Sequence, residues 1–147
     1  MATTIKNAVM TITITEKINL NGKDQGGITT ATIGDINEIS KRIQTVPTSE
    51  ATVLTFGSAP DFVKADVRYV RITNLDDTNY VTLNIEGDSS TDFSVRLDAK
   101  ASFLIILGST GVVDYGDISG ATLEDLSAIK STANTAACDL EIFVASA

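Results

Sequence analysis

The residues best able to do chemistry in this 147-residue chain are acids, amides and hydroxyls, and they gather in three short stretches. Asn74, Asp76, Asp77 and Asn79 lie in NLDDTN, residues 74–79. Asp114, Asp117, Glu124 and Asp125 lie in DYGDISGATLED, 114–125. Glu86, Asp88 and Asp92 flank hydroxyls in EGDSSTD, 86–92. Calcium needs six to eight oxygens, several from carboxylates at fixed offsets. In NLDDTN the two carboxylates are adjacent, so their side chains diverge, and the mid-loop Gly and distal Glu of an EF-hand are missing. Asp and Asn also favour turns, where they bond their own backbone, and a turn is the reading adopted for this loop. The 114–125 loop is longer and Gly-rich, which makes it the better calcium candidate; its ordinary reading is a solvated acidic loop. EGDSSTD has no His or Lys nearby to act as base, so its hydroxyls read as turn residues.

Absences narrow the chemistry further. The chain has no His and no Trp. Without His there is no Ser-His or Cys-His nucleophile and no imidazole metal ligand. Cys138 is the sole cysteine. It precedes an apolar strand in TAACDLEIFV and reads as a small buried thiol, with no base close in sequence to lower its pKa. Aromatics are 5% of the chain, too few to line a sugar cleft for a carboxylate-pair hydrolase. The glycines of 108–120 are not followed by Lys or by a helix, so they form no phosphate loop. Net charge is −8, and Lys41-Arg42 is an isolated basic pair offset by Glu38. That balance argues against nucleic acid, whose binding leans on phosphate neutralisation. The expectation is a non-enzyme, with no catalytic, cofactor-binding or metal-binding residue assigned.

The start, MATTIKNAVM, lacks the apolar core of a signal peptide, and the longest apolar run, FLIIL at 103–107, is too short to span a membrane. A single cysteine fits a reducing compartment or a setting that needs no disulfide.

The elements that must position these residues read mainly as strands. In 8–20, Met10, Ile12 and Ile14 alternate with Thr11, Thr13 and Thr15, the period of a half-buried strand. Asn21-Gly22 signals a turn, Gly26-Gly27 a second break, and 28–33 a strand paired back on the first. Ile33, Ile36, Ile39 and Ile43 follow helical spacing, whereas Ile39, Lys41, Ile43 and Thr45 fit a strand. The β-branched content favours a turn near 34–38 and a strand to Val46, ended by Pro47. A strand at 50–56 follows.

In 67–87, Val70 and Ile72 face one side of the first run, and Val81, Leu83 and Ile85 one side of the second. Pairing Ile72 with Val81 and Val70 with Leu83 gives a hairpin closed by Leu75, Asp76, Asp77 and Thr78. Phe93, Val95 and Leu97 point inward from the next strand. The consecutive apolar residues of 102–107 suit a strand buried on both faces. A short strand at Val112-Val113 sits within a long loop. Leu123, Leu126 and Ile129, spaced by three, suit one or two helical turns. Leu140, Ile142 and Val144 share a face of the last strand.

Eight or nine strands at spacings near ten residues predict an all-β fold with little helix. The expected architecture is a single-domain antiparallel β-sandwich, jelly-roll-like, over 1–147. Residues 1–7 are expected as an extended N-terminal arm that reaches a neighbour or frays.

Three segments, RYVRITNLDDTNYVTLNI, FSVRLDAKASFLI and LSAIKSTANTAACDLEIFVASA, together resemble the small all-β virion structural proteins of tailed bacteriophages, in marine or cyanophage style. The likeness covers roughly 66–147. One link departs from it: Asp98-Ala99-Lys100-Ala101 stands where a Gly is common. The resemblance implies a capsid decoration (cement) protein, made in the host cytoplasm and located in the virion. Its partners would be the major capsid protein or other virion proteins, and it would be a homo-oligomer with a trimer favoured. Two alternatives follow: a tail, fibre or other attachment component, and a carbohydrate-binding module. The last would use Tyr69, Tyr80 or Tyr115, the first two sharing an outer sheet face in the hairpin register above.

Overall fold

Alternation of β-branched and polar residues runs through most of the chain, and strand is what it forms. The computed structural model describes residues 6–58, 61–89, 91–107 and 123–147. The strands in chain order are β1 (Ala8–Thr15), β2 (Asn19–Leu20), β3 (Lys23–Asp24), β4 (Ile28–Ile36) and β5 (Glu38–Val46). They continue as β6 (Ala51–Gly57), β7 (Phe62–Val63), β8 (Val67–Asn74) and β9 (Val81–Gly87). The last four are β10 (Asp92–Leu97), β11 (Ser102–Ile106), β12 (Leu126–Ala133) and β13 (Cys138–Ser146). A 3₁₀ turn at Lys64–Asp66 is the sole helical element among the described residues.

Two sheets stack face to face. One runs β11-β8-β13-β5, the other β10-β9-β12-β6-β7. Setting aside the two-residue β7, the pairs β5 with β13, β6 with β12, β8 with β11 and β9 with β10 are nested in sequence and antiparallel. This is the strand order of a jelly roll, a long ribbon folded over on itself, and the all-β sandwich read from the sequence is the fold. Between the sheets lie Val46, Val70, Ile72, Val81, Leu83, Ile85, Ile129, Leu140, Ile142 and Val144, all essentially removed from water. On the β5–β6 side the gap is bridged by side chains. Arg42 donates to the Val53 carbonyl and Gln44 Nε2 to the Thr52 carbonyl at 3.0 Å.

The nesting corrects three expectations. First, β8 and β9 are not a hairpin; they belong to opposite sheets, and residues 75–80 cross between them. Their apolar sets face each other through the core instead of lying side by side. A hairpin and a crossing demand the same alternation, so parity alone could not separate them. Second, β11 is an edge strand buried on one side only: Ile105 and Leu107 point inward, while Leu104 and Ile106 are partly exposed. Third, Leu126 and Ile129 sit on a strand, not a helical turn. The register slips between Leu126 and Ala128, and that bulge puts residues three apart on one face. Ser127 Oγ donates to the Gly87 carbonyl there, at 2.8 Å.

Phe93, Val95 and Leu97 do pair with the inward residues of β9, although Phe93 at the open end stays partly exposed. The break expected near 34–38 is narrower, a register shift at the foot of β4 with Asp35 at φ 58°. The strand expected at Val112-Val113 lies outside the described residues.

Candidate functional site

The crossing loop between β8 and β9 holds the first acidic cluster, and its polar atoms are engaged by their own backbone. Asn74, fully buried, donates from Nδ2 to the carbonyls of Asn79 (2.8 Å) and Leu97 (3.3 Å), and accepts from the Asp76 amide (3.0 Å). Asp76 Oδ1 accepts from the amides of Thr78 (2.8 Å) and Asn79 (2.6 Å). Those backbone bonds, Asn79's first, hold the Asp76 carboxyl below the usual carboxylate range. Asp77 turns to solvent and pairs with Lys100 at 2.5 Å. Lys100 itself sits at φ 62°, the left-handed conformation that a Gly adopts freely. The loop is a stitched crossover whose side chains cap main-chain donors.

Of the second cluster, residues 114–122, Tyr115 included, lie outside the described residues. Glu124 Oε2 accepts from the Ser89 amide at 2.8 Å, and that bond lowers its pKa. Among the described residues, no group of three or more His, Cys, Asp or Glu is placed to hold a metal ion. Cys138 is buried, its thiol pushed up by burial, with Asp76 and Asp139 adding in the same direction.

The outer face expected to carry both Tyr69 and Tyr80 does not form. Tyr69 lies on β8 and Tyr80 precedes β9, so the two belong to opposite sheets. Tyr69 is buried, edge-on to Phe143 with ring centroids 5.8 Å apart. Tyr80 is covered by Arg96, whose guanidinium carbon stands 3.9 Å from the ring centre. The outer face of the five-stranded sheet is polar and internally paired. Lys130 bonds Glu86 at 2.8 Å, and Asn84 donates to Asp92 at 2.7 Å. The depression among these residues, about 300 Å³, is open and charged.

The outer face of the four-stranded sheet is different, and a hairpin stands on it. β1 to β4 lie outside both stacked sheets. One ladder runs from Met10–Ile33 to Thr15–Ile28, backbone bonds join Glu16 to Gly27 and Gln25 to Ile18, and a second short ladder ends at Leu20–Lys23. Asn21 and Gly22, at φ 53° and 77°, close it as the two-residue turn that Asn-Gly favours. Gly26 is required by contact, because a Cβ there would lie 2.1 Å from the Glu16 carbonyl oxygen. Alternation along β1 puts Met10, Ile12 and Ile14 on one face of the ribbon, and the same pairing offset in the outer ladder gives Ile18 and Leu20 the same parity.

At its base that face is core. Ile12 and Ile36, with Met10 and Ile33, cover Tyr69, Phe143 and Ala145. Farther out the same stripe leaves the body. Exposure rises from 8% at Ile12 to 42% at Ile14, 53% at Ile18 and 59% at Leu20. Beside the base, β5 presents Ile39 and Ile43, exposed by 64% and 62%, on the same side of the sheet as Phe143 and Ala145. Lys41 between them is drawn to Glu141 at 3.3 Å, and Arg71 holds the other oxygen of Glu141 at 2.6 Å; these cations lower the Glu141 pKa, Arg71 first.

The paired strands and the Asn-Gly turn of this arm were legible from residues 8–33, but its standing clear of the sandwich was not. The signal was the apolar parity that continues past Ile14 to Ile18 and Leu20 without a second strand pair to receive it. Comparisons of the chain with protein-family models, with curated proteins and with solved structures find no match.

Proposed function

We propose that this chain is a non-enzymatic structural protein of a virion, and specifically a capsid decoration (cement) protein. It binds the assembled shell of major capsid protein as a homo-oligomer, for which a trimer is the favoured form, and strengthens the shell by adding buried interface. The observation that carries this reading is the hairpin at 8–36, which holds apolar side chains away from the body that could bury them. Apolar surface held out in this way is the ordinary mark of a protein-binding element. Interfaces of this kind are apolar at the centre and polar at the rim, and the threonines and charges around the stripe supply the rim. The phage-like segments over 66–147 support the virion setting.

Mixing the purified chain with undecorated particles tests the proposal. Saturable co-sedimentation at micromolar concentration, with a raised temperature of particle disruption, is the expected result. No co-sedimentation at that concentration would overturn it. Electron microscopy of labelled virions with signal on tail or fibres would replace decoration by an attachment role.

A further inference from the structure

We infer that the outer part of the hairpin docks on a second copy of this chain, seating Ile14, Ile18 and Leu20 against Ile39 and Ile43 of that copy's β5. The inference deepens the assembly role proposed above and rests on it for the homo-oligomer.

Four observations lead there. The first is the continuous stripe. Its inner half is already buried on the outer face of the four-stranded sheet, against Tyr69, Phe143 and Ala145. That face therefore accepts this ribbon, and its uncovered flank on β5 continues the same chemistry one strand over. The second is physical need. A two-stranded ribbon alone is marginal in water and gains stability from a third surface. Beyond Ile12, this one has no extensive neighbour but itself among the described strands. The third is charge. The hairpin carries Glu16, Asp24 and Asp35 against Lys17 and Lys23, a net of −1, so nearly all of the chain's −8 lies elsewhere. Two acidic bodies repel at close approach, and a near-neutral apolar arm spans the gap between them. The fourth is the edge of β5, whose main chain forms a ladder only with β13 among the described residues, its far side being tied to β6 by the Arg42 and Gln44 side chains alone. An unpaired edge flanked by exposed Ile is a surface that proteins normally cover.

Area decides the form of the contact. The face from Ile14 to the turn is roughly 25 Å long and 10 Å wide, so one docked arm buries about 500 Å² counted over both partners. That is below the roughly 1,200 Å² of a stable interface. Each copy must therefore both give and receive an arm, as in a closed symmetric oligomer, which doubles the area per chain and lets the bodies add the rest.

Sedimentation equilibrium of the full chain, from micromolar to hundred-micromolar concentration, tests this. The wild type should sediment as a closed oligomer of the 15.5 kDa chain. The Ile18→Lys/Leu20→Lys variant should associate roughly a hundred-fold more weakly, and Ile39→Lys/Ile43→Lys should do the same. All four side chains are exposed, so both variants should keep the wild-type melting temperature when diluted to monomer. As a second measurement, arm amides at 15–26 should be protected from hydrogen exchange in the concentrated wild type and lose that protection on dilution. A wild type that stays monomeric, or either variant assembling as the wild type does, would overturn the inference. Monomeric protein that still saturates undecorated particles defeats this inference and leaves the decoration role. Oligomeric protein that ignores particles does the reverse.

Discussion

The sandwich and the arm are written in the same alternation and differ in what that alternation meets. In the sandwich, Ile72, Leu83, Ile129 and Ile142 each meet an opposing sheet and are lost from water. In the arm, the parity that buries Ile12 leaves Leu20 mostly exposed eight residues on. Pattern sets which face is apolar; topology sets whether anything covers it. The two regions should accordingly respond differently to the same change.

The largest expected difference is in truncation. Ile142→Ala opens a cavity between the sheets and should cost about 3–4 kcal/mol of unfolding free energy. Leu20→Ala should cost less than about 0.5 kcal/mol. Denaturant titration at sub-micromolar chain concentration, where self-association adds nothing to either, measures both. Equal losses would break the comparison, because they would mean that the arm folds as part of the core.

Two buried polar side chains sharpen the picture within the sandwich. Asn74 satisfies two carbonyls and one amide at the crossover. Asn74→Ala leaves those groups without their partner and should destabilise by about 2 kcal/mol. Ser131 Oγ, facing the core beside Leu83, has no hydrogen-bond partner among the described residues. Ser131→Ala removes a desolvated hydroxyl and should be neutral or stabilise by up to about 1 kcal/mol. A destabilisation by Ser131→Ala comparable to that of Asn74→Ala would show that the hydroxyl is paired after all.

Much of the sandwich could be read beforehand because burial by one neighbouring sheet imposes period two on every strand. Leu140, Ile142 and Val144, the buried Cys138 and the Asn21-Gly22 turn all follow from that local grammar. Partner choice is not local. Val70 and Ile72 meet Val81 and Leu83 through the core, yet the same residues would alternate identically side by side. That ambiguity also placed Tyr69 and Tyr80 on one outer face, which the structure separates. The spacing of Leu126 and Ile129 resembled a helix because a bulge mimics a period of three. Of the candidate site, the arm's strands and turn were legible. Its separation from the body was not, since no pattern in 8–36 states how far the sandwich extends beneath it.

Acid should act on the sandwich. Asp76 and Glu141 both have folded pKa values held below the usual carboxylate range, the first by backbone amides and the second by Arg71 and Lys41. A depressed folded pKa means stability that is present above the unfolded value and lost as pH falls through the folded one. The sandwich should weaken progressively below about pH 4. Asp76→Asn should flatten that acid limb relative to the wild type. Chemical denaturation across pH 2–7 reads both slopes, and an unaltered limb in Asp76→Asn would remove the crossover loop from the acid response.

The smallest global effect is expected at the arm's own turn. Gly22 occupies φ 77°, where a Cβ is strained although no atom crowds it. Gly22→Ala should weaken the ribbon locally by about 1 kcal/mol. If the arm opens independently of the sandwich, that loss stays local. Amides near Leu20 and Lys23 in the monomer should then exchange several-fold faster, while those of β13 and the global melting temperature do not move. A falling melting temperature would instead join the two regions into one cooperative unit. It would also mean that the covered base at Met10 and Ile12 transmits strain from the tip, which exposed Ile18 and Leu20 give no packed route to carry.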